Sequence, residues 1–351
     1  MIVFLLAFSG NLGQRITLTG YYDIVMASAS AAGADSGVWC SRIVKDVPEG
    51  AALMAAWLFW TSGFWANPPG RMTQTRLATS FGDTNLISPQ ASFVADGNYV
   101  MFADVTPLIN GDINRTYSCQ KLDRARGFSW CLILLFTGPG LSKRTLDLHY
   151  GCLGLGYNGD TVPWRDTFRI GAATGPPWGK FGFFSVGGDE LWAGDQAILM
   201  GHRLSNWMNP WDNIGNASCS DPFTGQWAWN RWPWGPSDAD AFEVSGLFPS
   251  GASVIPYELL PGCDWIYYAF AFLLVDEAGS ANIDEEETVI IPGKIFSIEG
   301  SEGGLLRIYA LNGRLALESW LGPGKHRIKL SAPSGVYVYT FGKRRGSFVL
   351  R

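Results

Sequence analysis

The sequence predicts an all-β protein: a large antiparallel β-sandwich, jelly-roll-like, followed by a smaller β module. Three observations carry this. The first is composition. Gly (43) and Pro (19) punctuate a chain in which aromatics reach 14% and charged residues only 16%. Aromatic and β-branched side chains suit a pleated, half-buried surface, and Lys, Glu and Arg, the common helix formers, are scarce. The second is the length of the apolar runs, which are short and bounded by Gly or Pro. The third is Asn312-Gly313, set between the alternating segments "LLRIYAL" and "RLALESW". Both central residues of a type I′ hairpin turn need positive φ, and Asn-Gly supplies them at little cost. A chain of 351 residues has room for two or three domains.

The elements follow in order. "MIVFLLAFSG" has the apolar core of a signal peptide and a small Ser9 near a plausible cleavage point, but no basic segment before it. Residues 1–14 are read as a truncated signal peptide. "RITLTGYYDIVMASAS" has strand composition. "VPEGAALMAAWLFWTSG" is an apolar run ending at Trp60, and the Gly and Pro on its flanks favour a buried strand over a helix. "GNYVMFADVTPLI" is a strand entered from Asp96-Gly97. "GFSWCLILLFTGPG" reads as a central strand covered on both faces. "TFRIGAATGPPWGKFGFFSVGGD" gives two strands around Pro176-Pro177, and "AFEVSGLFPSGASVIPYEL" and "DWIYYAFAFLLVDE" complete the body, residues 15–275.

Residues 276–288, "DEAGSANIDEEET", hold six acidic side chains and no aromatic ones, so they read as a solvated linker. Beyond it, residues 289–351 carry ten Lys and Arg against three Glu, a net of about +7. The other 288 residues hold 16 basic and 28 acidic side chains, about −12, and such a step marks a domain boundary. The overall charge of −5 argues against a nucleic-acid partner. No apolar run is long enough for a transmembrane helix.

Six cysteines, Cys40, Cys119, Cys131, Cys152, Cys219 and Cys263, are dispersed without a CxxC pair, and the three His are scattered, which speaks against zinc. An even count in an aromatic β protein suits an oxidising compartment, so all six are disulfide candidates without an assigned pairing. Buried free thiols are the alternative.

Chemistry-bearing residues are few. "GGDELWAGDQ" places Asp189, Glu190 and Asp195 close in sequence. Glycoside hydrolysis needs two carboxylates, one protonated. Yet neighbours on a strand point to opposite faces, so these are weak catalytic candidates. A calcium ion on Asp189, Asp195 and loop carbonyls, or a solvated turn, are the competing readings. Trp227 and Trp229, then Trp232 and Trp234, alternate within "GQWAWNRWPWGPSDAD". They either cap the sandwich or form a ligand surface, with Asn230, Arg231 and Asp238 as polar partners. Asn114 and Asn216 match the glycosylation pattern, here read as chance. GxGxxG from Gly154 to Gly159 has no helix after it and is discounted.

Two resemblances extend this reading. "LLRIYALNGRLALE", "PGKHRIKL" and "PSGVYVYTFGKRRGSFVLR", in this order, resemble the type IX secretion C-terminal sorting domain. The resemblance covers residues 289–351. It implies a small Ig-like seven-stranded sandwich read by outer-membrane secretion machinery, with Gly335, Tyr337, Lys343, Arg344 and Arg345 on the matching phrases. The body is similar to an uncharacterised extracellular β domain of bacterial and archaeal surface proteins, through "VPEGAALMAAWLFWTSG", "YVMFADVTPLI", "GFSWCLILLFTGPGLSKRTLDLHYG", "ATGPPWGKFGFFSVGGDELWAGD" and "LSNWMNPWDNIGNASCS". It implies extracellular or cell-surface placement and brings no catalytic residues. The expectation is a surface-displayed protein with an adhesive or structural role, meeting surface glycan or other surface proteins. A carbohydrate-binding module and a polysaccharide-active enzyme are the rivals.

Overall fold

The computed structural model describes residues 8–31, 36–45, 47–62, 74–80, 83–122, 128–138, 140–156, 162–171, 177–187, 194–210, 214, 216, 218–221, 226–229, 237–249, 251–262, 265–277, 289–291, 295–300, 304–310, 315–321, 324–329, 335–341 and 344–350. The chain divides into two compact units: Met1–Gly138 with Lys143–Gly279, and Ser280–Arg351 with Pro139–Ser142. Both are built of strands, as the composition requires.

The first unit is a stack of sheets around a central one. The central sheet runs β1 (Phe8–Tyr21), β11 (Lys143–Leu155), β20 (Ile266–Asp276), β13 (Gly179–Val186), β18 (Ser237–Glu243), β16 (Ser218–Asp221), β17 (Gln226–Trp229). All its described pairs are antiparallel except β16 with β18. A front sheet runs β2 (Asp23–Ala31), β10 (Phe128–Thr137), β4 (Ala52–Ser62), β8 (Asn98–Asp104), β7 (Ala91–Ala95). A back sheet runs β12 (Trp164–Arg169), β19 (Val254–Pro261), β14 (Asp195–Leu199), β15 (His202–Arg203). An outer sheet runs β3 (Trp39–Ile43), β9 (Thr116–Lys121), β5 (Thr75–Ser80), β6 (Asp83–Ile87).

Two cores explain the apolar runs. Between central and front sheets lie Phe59, Phe102, Ile133, Leu148, Phe184 and Phe272; between central and back sheets lie Phe168, Phe181, Phe183, Tyr257, Tyr268 and Leu273. Successive side chains of one strand enter opposite cores. Covered on both faces, β13 and β20 are buried at every position, which is why they read as continuous rather than alternating. The strand read from "GFSWCLILLFTGPG" is β10, held between β2 and β4. Its Trp130 and Cys40 of β3 meet at 3.1 Å, so the outer sheet rests on the far face of the front sheet. The run before Trp60 forms a strand, β4, and Asp96 and Gly97 both take positive φ at the turn joining β7 to β8.

An ionic clamp ties the front sheet to the central one. Asp23 of β2 receives Arg144 at 2.9 Å and Lys180 at 3.3 Å, and Arg144 also meets Asp276 at 2.9 Å. The guanidinium lies 3.8 Å from the centre of the Trp178 ring, and Lys180 Nζ donates to the Ile24 carbonyl at 2.7 Å. Asp276 and Glu277, read as the start of the acidic linker, therefore belong to the body. Asp276 is buried on Arg144, and Glu277 pairs with Lys143 at 2.5 Å because β11 supplies both cations. Residues 278–288 lie outside the described residues.

β1 starts at Phe8, within the segment read as a signal peptide, and Phe8–Asn11 pair with Leu155–Cys152 of β11. The strands either side of Pro176-Pro177, β12 and β13, do not pair with each other. They enter different sheets.

The second unit holds seven described strands. One sheet runs β21 (Val289–Ile291), β27 (Arg344–Leu350), β26 (Gly335–Phe341), β23 (Gly304–Ala310), β24 (Leu315–Leu321), and β22 (Ile295–Gly300) pairs with β25 (Gly324–Lys329). β23 and β24 form the antiparallel pair flanking Asn312-Gly313. Leu306 and Ile308, two apart on β23, are both fully buried. β27 lies inside its sheet, parallel to β21 on one side and antiparallel to β26 on the other.

Candidate functional site

Strand alternation assembles two polar clusters on the central sheet, on the face turned away from the front core. In β18, "SDADAFE", Ala239 and Ala241 enter the front core, so Asp238 and Asp240 take the opposite face. In β16, Cys219 does the same and turns Ser218 and Ser220 the other way. Parallel pairing sets Cys219 against Ala239 and Ser220 against Asp240, which brings the hydroxyls onto the carboxylates.

The contacts are dense. Asp240 Oδ1 accepts from Ser220 N at 3.0 Å, Ser220 Oγ at 2.6 Å and Ser218 Oγ at 3.0 Å. Ser218 N donates to Asp238 Oδ1 at 2.9 Å. Asn209 Nδ2 and Asn206 Nδ2 donate to Ser220 Oγ at 2.8 and 2.9 Å. Asp238 and Asp240 have no measurable exposure. Burial pushes the Asp240 carboxyl up to about 7, and the serine and asparagine donors only partly oppose it. A carboxyl in this state holds a proton near neutrality but is sealed from solvent.

The second cluster centres on His149. In β11, Leu146 and Leu148 enter the front core and Asp147 and His149 face the back sheet. His149 Nε2 lies 3.3 Å from Asp147 Oδ2, and Nδ1 lies 3.2 Å from Asp166 Oδ2 and 3.1 Å from the Tyr257 hydroxyl. Arg15 of β1 donates to both Asp166 oxygens at 3.0 and 3.2 Å. Burial raises the Asp147 carboxyl, but His149, the Arg169 amide and the Thr17 hydroxyl outweigh it and hold it below the usual range. The Phe168 ring stacks on Tyr257 at 4.2 Å and covers the His149 ring at 4.7 Å. Histidine, fully buried between two acids of different sheets, acts as a staple between them.

The residues singled out from the sequence fare differently. Asp189, Glu190, Arg231, Trp232, Trp234, Asn230 and Lys343 lie outside the described residues. Asp195 is fully buried in β14, where its carbonyl accepts from Ile214 N at 3.3 Å, so it does not stand in a solvated turn. Among the described residues no group of three or more His, Cys, Asp or Glu could hold a metal ion. Trp227 and Trp229 lie on β17, the edge of the central sheet, opposite Ser220 and Ser218. Asp238, expected as a polar partner of the Trp segment, is buried, because strand alternation turns it inward beside Asp240, where it accepts from Ser218 N of β16. Trp207 is 70% exposed. Gly335 and Tyr337 lie on β26, opposite Leu350 and Phe348, and Arg344 and Arg345 open β27, opposite Phe341 and Thr340.

Five of the six cysteines are free, buried thiols rather than disulfides, and Cys263 lies outside the described residues. Burial pushes the thiols of Cys40 and Cys152 up to about 12, so neither serves as a nucleophile in the folded chain. The amides of both glycosylation-pattern residues are engaged internally. Asn114 exchanges bonds with Val47 at 3.0 and 2.7 Å, and Asn216 donates to the Met208 carbonyl at 2.6 Å.

His149, Asp147, Asp166, Tyr257, Asp240, Ser218 and Ser220 were missed from the sequence. A signal was present. "LDLHYG" and "SDADAF" place polar side chains at every second position of strands whose other side chains are apolar.

No family model matches the chain, and no curated protein matches it. Solved structures give distant likenesses. A β-glucuronidase of Ruminococcus gnavus shares 10% identity over 57% of this chain and 35% of its own, with a TM-score of 0.21. The ANXUR2 extracellular domain of Arabidopsis thaliana shares 8% over 76% and 89%, at 0.25. The BSP domain of a biofilm associated protein shares 7% over 93% and 81%, at 0.19. The chain thus spans about a third of the length of the glucuronidase it matches. At these scores the likenesses carry no argument about function.

Proposed function

We propose that the chain is a secreted, cell-surface β protein whose body has an adhesive or structural role and whose C-terminal module addresses it for export. The supporting observation is that the basic module is a compact unit of its own, separated from the body by an acidic stretch. Arg344 and Arg345, the basic opening of β27, pair with Phe341 and Thr340 of β26. An outer-membrane receptor with an acidic surface would read this basic opening by charge. A structural role for the body agrees with its two polar clusters, which are built on its central sheet.

Deleting residues 289–351 in the native host tests this. The reading expects the intact protein to be removed from whole cells by external protease and the truncated one to be retained and protected. Equal protease access for both would refute it.

A second reading has one observation in its favour: the exposed Trp207, which shares a Trp-rich region of the sequence with edge strand β17. Aromatic faces stack on sugar rings. Glycan binding measured by titration and lost in both Trp207→Ala and Trp229→Ala would establish a carbohydrate-binding body; unchanged affinity in both would remove it.

A further inference from the structure

We infer that the solvent face of the outer sheet is a binding site for an acidic glycan, a chain of sugars that carry carboxylates. Register builds the site. Trp39 of β3 is the direct partner of Gln120 of β9, Gln120 is also the partner of Arg76 of β5, and Arg76 is the partner of Leu86 of β6. One row of side chains therefore crosses all four strands. The neighbours of this row along the strands, Cys40, Cys119 and Leu77, are buried, with Cys40 against Trp130 of the front sheet. Alternation turns the row itself outward. Arg76 and Leu86 are exposed, Gln120 is half-buried and Trp39 is 39% exposed. On the same face the next row holds Ser41 and Ser118, whose hydroxyls meet at 2.6 Å.

Three features fit an acidic sugar chain. The first is the Arg76 fork. Its Nη1 donates to Gln120 Oε1 at 3.0 Å, and Gln120 Nε2 donates to the Gly37 carbonyl at 2.9 Å. Gln120 is thus fixed at both ends and holds the guanidinium in place. Among the described residues, Nε and Nη2 of Arg76 have no acceptor. These two nitrogens form the side of the guanidinium that pairs with a carboxylate through two parallel bonds. The second feature is charge. Arg76 is the one ionised side chain of the two rows. Arg42 of β3 has the opposite parity and donates to the Ser28 carbonyl of β2 at 2.6 Å. Asp83 opens β6 three residues before Leu86, about 10 Å along the strand. The third feature is the Trp39 ring, two strands from Arg76 or about 10 Å across the sheet. That span suits two sugars of one chain, one stacked on the indole and the other with its carboxylate in the fork.

Other partners fit less well. The row runs across the strands over an open face, so a peptide lying on it would miss the sheet edge that extended peptides pair with. A nucleic acid would meet a single cation on a chain of net charge −5. An acidic oligosaccharide needs neither an edge nor a basic patch. The site uses neither Trp207 nor Trp229, and it stands apart from the export reading.

The test is calorimetric titration of the full chain with short oligomers of galacturonate, of mannuronate and guluronate, and of glucuronate with N-acetylglucosamine, each as the free acid and as its methyl ester. At least one acid should bind saturably, and its ester about tenfold or more weaker, the worth of a charge-assisted bond. Arg76→Gln still offers Gln120 a donor, so the fold is kept. It should lose the same factor and bind acid and ester alike. Trp39→Ala should weaken binding by up to about tenfold and Trp39→Tyr should restore most of it, while Trp207→Ala should leave it unchanged. Failure of all three acids to bind would overturn the assignment, as would equal affinity for acid and ester or wild-type affinity in Arg76→Gln. Oligoglutamate bound as tightly as the best sugar would also overturn it, since the face would then read negative charge without the sugar.

Discussion

Replacing Asp23 by Ala should destabilise the body by about 3–5 kcal/mol, the usual consequence of removing one partner from a buried ionic cluster. The magnitude follows from what is left behind. Asp23 and Asp276 balance Arg144 and Lys180, and the Lys180 side chain is 1% exposed. Without Asp23 an excess positive charge stays buried between the front and central sheets. The Ile24 carbonyl still accepts from Lys180, and Asp276 still faces Arg144, but neither supplies the missing charge. For a body of this size, each kcal/mol moves the melting temperature by about 2–4 °C, so a drop of roughly 6–20 °C is expected. The assay is thermal and urea unfolding of Asp23→Ala, Lys180→Met and the double variant. Removing both charges together relieves the imbalance, so the double variant should lose less than the two single losses added. A loss under about 1 kcal/mol in Asp23→Ala, or strict additivity, would refute the clamp.

Other outcomes follow from the same geometry. The Asp240 carboxyl, raised to about 7 in the folded chain against roughly 3.9 unfolded, contributes stability that is complete below pH about 4 and lost as pH rises through 7. Asp240→Asn keeps the acceptor oxygen and should flatten the fall in melting temperature between about pH 4 and 7; an unchanged slope would assign it elsewhere. A methyl group on Gly182 would stand 2.5 Å from the Phe272 ring and 2.9 Å from the Asp240 carbonyl oxygen. Gly182→Ala should therefore cost about 1–3 kcal/mol in urea unfolding. His149→Ala leaves Asp147, Asp166 and Tyr257 facing an emptied site and should cost about 3–5 kcal/mol, whereas a loss below about 1 would show that the staple is dispensable.

The strands were legible because the forces that make them are local. Turn chemistry at Asp96-Gly97 and Asn312-Gly313 and the apolar run of β10 depend on neighbours in sequence. The layering was less legible. A strand covered on both faces shows no alternation, so β13 and β20 could not reveal which face met which core. Nor could the sequence say that β12 and β13 part into different sheets. Asp276 and Glu277 read as linker because their partners, Arg144 and Lys143, are more than a hundred residues away. Distance along the chain also hid the polar clusters: His149 meets Asp166 and Tyr257 only after three strands have been brought together. The cysteines show both sides. Their even number suggested bridging, yet the five described ones are buried thiols packed among apolar side chains of separate strands.

The account's central claim is that this is an exported surface protein with a separate address module. The most direct test is the intact mass of the chain recovered from fractionated native cells. The account predicts the chain in the surface or released fraction. A chain confined to the cell interior would contradict it.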